Sequence, residues 1–435
     1  MRGVAASERS VSRRSILATL GAALGGPALA ACGGQVAAPS SQATGPATIE
    51  FSFWGDPRLV ETFNKDIADF NQDVPNVLVK TIHNPSDYYT KLETLIVGGT
   101  PPDIAMMAAT NAPNFTAKGA LRNLDAQIKK DGNVDDLYPS VREAMKVKGV
   151  LYGLPRDVTT FPLFYNQQLF DEAGVKYPDA NWTWTSLLDA ARRITKASGD
   201  APVYGFHHRP LYDQTMPWIW QNGGAFLNRD QTACVIDQAP ATEALQWLAD
   251  LKNVHQAAPR PNALGTEDQG RLFLERRIAM YINGYSSGIS FRGVQGLRYD
   301  VAPLPQGKQR ATVVFPIMYT IPKDAKYPDQ AFTFMKFLAG PKAQRNHAVL
   351  GAGFPGYRSV AESDVFLKND VEPKSKRVFL DMLAYGRPID APEVAGSISA
   401  PLLAELAPVW EGTRTAREAT AEIKRQVDQI LKTGK

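Results

Sequence analysis

Ile49-Glu50-Phe51-Ser52-Phe53-Trp54-Gly55-Asp56-Pro57 sets the architecture of this 435-residue chain. Its first six residues alternate apolar and polar, the period of a β-strand. Gly55 breaks the strand, Asp56 has the chemistry of a helix N-cap, and Pro57 suits the first helical position. Leu59, Val60, Phe63, Ile67 and Phe70 then recur at helical spacing. A second strand is expected over residues 77–82. Ser86 is placed to cap a helix that carries Leu92, Leu95 and Ile96 and stops at Gly98-Gly99. Residues 103–106 read as a third strand. This strand–helix alternation predicts a mainly parallel sheet with helices on both faces. Ligands gather beyond the carboxyl ends of such strands, where Trp54, Asp56 and Asn111 fall. At the far end of the chain, Thr415 and Glu418 form a capping box before the stripe Ala416, Ala419, Ile423, Val427 and Ile430.

Ahead of this body, Ser12-Arg13-Arg14-Ser15-Ile16-Leu17 opens a segment with twin arginines and a short run of Leu, Ala and Gly. The run is too short and too Gly-rich to span a bilayer, so residues 1–31 read as a cleavable export signal. Leu29-Ala30-Ala31-Cys32 resembles the lipobox of bacterial lipoproteins, in which the cysteine is acylated and becomes the first residue. Residues 32–48 then read as a lipidated N-terminus and a flexible tether rich in Gly, Ala, Pro, Ser and Thr. The expected location is the outer face of the bacterial cytoplasmic membrane, held there by lipid on Cys32.

Taking away that signal changes the bulk numbers. The whole chain has 48 basic and 44 acidic residues, and residues 1–31 contain four arginines and one glutamate. The remaining 44 basic against 43 acidic residues give a net charge of about +1, which leaves no nucleic-acid footprint. Hydrophobic residues make up 44% and charged residues 21%, a globular composition. Roughly 400 residues exceed one comfortable core, so two domains are expected. No second long apolar segment suggests a membrane span. With Cys32 acylated, Cys234 is alone; it supports neither a disulfide framework nor a metal cluster and reads as a small buried hydrophobe.

Several patterns match catalytic expressions without their context. Gly284-Tyr285-Ser286-Ser287-Gly288 fits G-x-S-x-G after a strand-like run, but His347 is the one histidine downstream and lies in a polar, helical stretch. Gly351-Ala352-Gly353-Phe354-Pro355-Gly356 fits G-x-G-x-x-G, yet follows a helical segment, and Pro355 interrupts the helix start. His207-His208 lacks a neighbouring third ligand and reads as a solvated loop. No cofactor and no metal are implied. What remains is an aromatic and polar set near expected loops: Trp54, Asp56, Asp157, Tyr212, Trp218, Trp220 before Asn222-Gly223-Gly224, Tyr285, Tyr319 and Tyr357. Sugars offer C–H faces to aromatic rings and hydroxyls to planar polar groups. Trp182, Trp184 and Trp410 are assigned to the core, with Trp184 stapling the start of a helix.

Seven stretches in register resemble one family. Tyr88-Tyr89-Thr90-Lys91-Leu92 with Gly98-Gly99-Thr100-Pro101-Pro102-Asp103 comes first, followed by Tyr152-Gly153-Leu154-Pro155 with Phe164-Tyr165-Asn166 and Leu169-Phe170-Asp171-Glu172-Ala173-Gly174. Thr183-Trp184, Asn222-Gly223-Gly224, Phe273 with Ile278-Ala279-Met280, Tyr299-Asp300-Val301-Ala302-Pro303-Leu304-Pro305 and Gly412 complete the set. From about residue 49 onward the chain resembles the extracellular solute-binding proteins of ABC importers, in the sugar-binding, maltose-binding-protein-like group.

The resemblance implies an α/β, two-lobed periplasmic-binding-protein-like fold (class II), each lobe a mainly parallel sheet flanked by helices. Lobe one would comprise residues 49–157 plus 318–353, and lobe two 158–317 plus 354–435. Crossings would fall near residues 157–160, 316–320 and 354–358. Trp54, Asp56 and Asn111 would line the cleft from lobe one and Asp157 would sit at the hinge. Tyr212, Trp218 and Tyr285 would approach from lobe two, with Tyr319 and Tyr357 at the later crossings. The implied function is capture of a sugar or oligosaccharide by a monomer and its delivery to ABC permease subunits, without catalysis. Two departures stand out: Tyr285-Ser286 where sugar binders often carry tryptophan, and Phe315-Pro316-Ile317-Met318-Tyr319 in place of a glycine-rich crossing. A charged solute (polyamine, phosphate ester or amino acid) in the same fold is the alternative, and a secreted esterase using Ser286 the remote one.

Overall fold

A computed structural model describes residues 46–434 except 200, 261–267, 352 and 369. The expected export signal, the acylation site Cys32 and nearly all of the tether lie outside the described residues. The strands in chain order are β1 (Ala47–Phe53), β2 (Val77–His83), β3 (Ile104–Ala108), the short hairpin β4 (Lys146–Val147) and β5 (Val150–Leu151), β6 (Gly153–Thr159), β7 (Leu163–Asn166), β8 (Tyr204–His207), β9 (Ile278–Ile282), β10 (Tyr299–Ala302), β11 (Thr312–Thr320) and β12 (Gly386–Pro388). They form a six-stranded sheet in the order β12-β11-β3-β1-β2 with β6 also on β11, and a four-stranded sheet in the order β10-β7-β9-β8.

The opening stretch folds as read. Asp56 caps the helix Pro57–Asp73 by accepting from the Leu59 N–H at 3.0 Å. The helix's apolar stripe buries Leu59, Phe63 and Phe70, and Phe63 meets Phe51 edge-on at 4.9 Å. Burial of each such side chain contributes roughly 2 kcal/mol. Ser86 does not cap the next helix. That helix, Tyr88–Val97, starts behind Asp87, whose left-handed φ of 52° turns the chain with no side-chain cap. The capping box of Thr415 and Glu418 is present on the last helix, Ala416–Thr433. Trp184 is the first residue of the helix Trp184–Ile194 rather than a staple before it; Thr183 and Ser186 form the capping box there.

The six-stranded sheet is mainly parallel, as the alternation implies, with β11 and β12 also parallel, whereas the four-stranded sheet is mainly antiparallel. β2, β1 and β3 are parallel, but β3–β11 and β11–β6 are antiparallel. In the four-stranded sheet only β8–β9 is parallel, while β10–β7 and β7–β9 are antiparallel. The cause is connectivity: β6 leads into β7 after three residues, and β11 returns from the second sheet to the first, so both arrive against the local strand direction.

Two apolar cores result. One gathers Phe51, Phe63, Tyr319 and Phe334; the other gathers Trp218, Leu245, Trp410 and Ile423. The long strand β11 serves both, with Val313 in the second core and Met318 in the first. Residues 357–362, at and beyond the expected third crossing, keep contacts with the first half. Tyr357 Oη donates to the Gly132 carbonyl and Tyr138 Oη donates to Glu362, which keeps this stretch with the first half. The Ser375 N–H then donates to Asp300 on β10 of the second sheet.

Candidate functional site

The crossing strands meet around a cavity of about 210 Å³. β6 contributes Asp157 and Thr159, with Phe161 just beyond, and β11 contributes Phe315 and Ile317. Gly353 and Phe354 close one side. Asn283 and Gly284 after β9, Tyr285 and Ser286 at the start of the helix Tyr285–Ser290, and Asp213 on the helix Tyr212–Gln221 close the other. The two-residue period of a strand explains the wall: Asp157 and Thr159 face the cavity while Val158 between them is core.

The register shifts between Ile317 and Met318, which pair with Asp157 and Pro155. Arg156 is therefore the extra residue of a β-bulge. Neighbours on a regular strand point to opposite faces; at this bulge the Arg156 guanidinium instead reaches the Asp157 carboxylate. Burial pushes the Asp157 carboxyl above the usual range, opposed by the charges of Arg156 and His347. Burial likewise raises Asp213, against the pull of backbone N–H groups.

Tyr285 lines the same cavity. Its ring packs on Phe366 and Phe379, each at 5.2 Å, and its hydroxyl accepts from Arg292 at 2.7 Å. Gly284 lets the loop approach β6, since a Cβ there would stand 3.0 Å from Thr159 Cγ2.

Trp54, Asp56 and Asn111 collect at the carboxyl ends of β1 and β3. Trp54 is half-buried against Tyr88 at 4.8 Å and Tyr89 at 5.7 Å, while Asp56 is exposed and paired with Arg58. The Ala108 N–H donates to Tyr89 Oη at 2.9 Å, fixing that ring. Ala108 also pairs with Ile317 of the cavity wall, so this rim continues from the crossing.

Four expected site residues lie elsewhere. Trp218 is fully buried in the second core, between Trp184 and Trp247. Tyr319 is fully buried beside Phe51 and Phe63, because beyond the bulge its face of β11 lies under the helix Pro57–Asp73. Tyr357 is held by Gly132, and Tyr212 donates to the Asp390 carbonyl at 3.4 Å while its neighbour Asp213 lines the cavity. Sequence reasoning passed over Asp213, Thr159, Phe161, Asn283, Phe315 and Gly353. Thr159 and Gly353 were inside or beside named crossings, and Asp213 was one residue from Tyr212, so proximity to those segments was the available signal.

The motif residues resolve similarly. His207 and His208 are not in a solvated loop: burial holds His207 down near 3 and lowers His208 well below the usual value. His347 sits on the helix Pro341–Leu350 with Nε2 2.8 Å from Asp66 Oδ2, buried in the first half. Among the described residues no hydrogen bond joins it to Ser286. Cys234 is fully buried, and burial pushes its thiol up to about 11.

Two α/β lobes joined by crossing strands around a polar and aromatic cavity define a two-lobed solute-binding protein. Residues 56–345 match the family described as bacterial extracellular solute-binding protein. The galactooligosaccharide-binding protein of Bacillus subtilis (strain 168) is 23% identical over 428 residues, covering 94% of this chain and 93% of that protein. The arabinooligosaccharide-binding protein of the same organism is 24% identical over 352 residues, covering 75% and 76%. An ABC substrate-binding protein from Listeria monocytogenes, solved in complex with cycloalternan, superposes with a TM-score of 0.81 at 25% identity, covering 89% of this chain and 99% of that one. The chain belongs to the bacterial extracellular solute-binding protein family.

Proposed function

We propose that the protein is the substrate-binding component of an ABC-type carbohydrate importer. It captures a sugar or oligosaccharide between its two lobes and delivers it unaltered to a membrane permease. The observation that carries this reading is the composition of the crossing cavity. Asp157, Asp213, Thr159, Asn283 and Ser286 provide partners for hydroxyl groups beside the aromatic faces of Phe161, Phe315, Phe354 and Tyr285. The oligosaccharide-binding relatives and the cycloalternan complex support the same ligand class.

Lobe one takes residues 49–157 and 318–362 and lobe two takes 158–317 and 375–435, with the third passage between Glu362 and Ser375. Ligand contacts on both lobes favour the closed arrangement, and that shape is what the permease reads. Trp54, Asp56 and Asn111 extend the ligand contacts outward from the cavity. Ser286 serves as a hydroxyl partner rather than a nucleophile, because among the described residues no histidine is hydrogen-bonded to it and His347 Nε2 is bound to Asp66. The twin-arginine segment and the Leu29-Ala30-Ala31-Cys32 stretch support export and a lipid anchor. No helix of the described residues is long and apolar enough to cross a membrane.

A thermal-shift screen against mono- and oligosaccharides tests the reading. A true ligand at 100 times its Kd adds about 2.7 kcal/mol of apparent stability. A panel in which no carbohydrate shifts the transition, while a diamine or an amino acid does, rejects it. Loss of ester hydrolysis on Ser286→Ala would reject the non-catalytic part.

A further inference from the structure

Among the described residues, no acidic group compensates one cation buried beside the second core. Lys252, on the helix Ala239–Asn253, is only 4% exposed. Its Nζ stands 5.3 Å from the centroid of the Trp410 ring, and among the described residues no hydrogen bond or ion pair engages it. The side chain lines a pocket of about 270 Å³ together with Ala197, Tyr204, Gln256, Ala258 and the exposed Arg260.

The surrounding field is positive. Burial lowers the Lys252 ammonium to about 8, with no carboxylate of the described residues pulling the other way. After burial itself, the Lys252 charge is the main influence that depresses His207 and His208, and Arg209 adds to it at His207. An uncompensated buried charge is costly, and a counter-ion entering the pocket relieves that cost.

We propose that this pocket is a second binding site, for a small molecule presenting an oxyanion (carboxylate, sulfate or phosphate) held between Lys252 and Arg260. The guanidinium fork of Arg260 suits two oxygens at once, and the compact ammonium of Lys252 supplies a point charge from below. Tyr204 and Gln256 offer neutral donors for the remaining oxygens. The volume exceeds that of an inorganic oxyanion, and Ala197 and Ala258 give the organic remainder an apolar wall. The Trp410 face partly stabilises the ammonium.

The site is separate from the sugar cavity. Tyr204 begins β8 and pairs in parallel with Ile278, the first residue of β9, whereas Asn283–Ser286 follow the far end of β9. A five-residue strand of about 16 Å lies between them. The inference therefore does not rest on the carbohydrate reading.

Thermal-shift titrations of the intact protein with inorganic phosphate, sulfate or acetate, at ionic strength fixed with sodium chloride, test it. The expected result is a saturable rise in Tm with at least one of the three. The rise is lost in Lys252→Met and its midpoint moves at least tenfold higher in Arg260→Ala, while any sugar response is unchanged in both variants. Which arm responds identifies the headgroup. Should Lys252→Met fail to fold, the exposed Arg260 variant carries the comparison. No saturable response in any arm, or the same response in the wild type and both variants, overturns the proposal.

Discussion

The N–H of Val158 donates to the carbonyl oxygen of Phe354 at 3.1 Å. One residue earlier, Asp157 pairs with Ile317 across β6 and β11. Backbone hydrogen bonds thus hold three separate stretches at one level, and Asp157, Ile317 and Phe354 all line the cavity there. In the proposed function, relative motion of the lobes would flex at this level, and the proposed ligand contacts and hinge would share these residues.

Gly353 is the tightest point of that junction. An added Cβ would stand 2.9 Å from Asp157 Oδ2, closer than real Cβ atoms come, and a tight 3.0 Å from Asp157 Cβ. Gly353→Ala should push Asp157 out of place and weaken ligand binding by roughly tenfold, about 1.4 kcal/mol. Calorimetric titration with the sugar found in the screen checks this; an unchanged Kd would show that Asp157 has no part in recognition.

Asp213 is the cavity carboxylate that sequence reasoning missed. A hydrogen bond to a charged group is worth about 1.5–3 kcal/mol, so Asp213→Ala should raise Kd by roughly 10–100-fold. Its half-exposed position on the first turn of its helix predicts little change in Tm without ligand. Titration and melting of the same variant separate the two effects.

The strands, the cap at Asp56, the last helix and the two-lobe organisation were legible because they follow local rules of period and capping. The antiparallel strands were not, because direction depends on where β6 and β11 go after leaving one sheet. Site residues divided along the same line. Asp157 and Tyr285, expected at a crossing and a loop, line the cavity. Trp218 and Tyr319 pack in the cores, since an aromatic residue has the same sequence signature in a core as beside a ligand. The two are told apart by which face of the helix or strand is covered: Met318 and Tyr319 lie past the bulge at Arg156, and no sequence pattern marks that bulge.

The Asp66–His347 contact joins the helix Pro57–Asp73 to the helix Pro341–Leu350, with Asp66 fully buried. His347→Leu leaves Asp66 with the Asn346 amide at 2.8 Å as its remaining side-chain partner. A loss of about 2–4 kcal/mol is expected from a buried carboxylate deprived of a partner. Urea unfolding measures it, and a loss under 1 kcal/mol would mean that the contact contributes little to joining these helices.

Asp390 provides a pH signature. Burial raises its carboxyl from 3.8 to about 6, while its side chain accepts from the Leu227 N–H. The folded state therefore holds this proton more tightly than the unfolded chain. The associated stability is complete below pH 3.8 and is lost as pH rises through 6. Asp390→Asn keeps an acceptor for Leu227 and should be more stable than the wild type at pH 7 by roughly 2 kcal/mol, an advantage that disappears by pH 4. Paired urea curves at the two pH values decide it.

Lys252 has the opposite dependence. Its folded ammonium titrates near 8 and its unfolded one near 10.5, so between those values the unfolded chain binds more protons and stability rises with pH. In buffers with chloride as the only anion, Lys252→Met should exceed the wild type by roughly 2–3 kcal/mol below pH 8 and match it by pH 10.5. A difference that does not change with pH would assign the effect to packing rather than charge.

The most direct test of the account is calorimetric titration of oligosaccharides into the wild-type protein and into Asp213→Ala. The account predicts a saturable one-to-one isotherm for at least one oligosaccharide, recovery of that sugar chemically unchanged, and a Kd at least tenfold weaker in the variant. Saturable binding that is identical in the two proteins, or a sugar recovered cleaved, would contradict it.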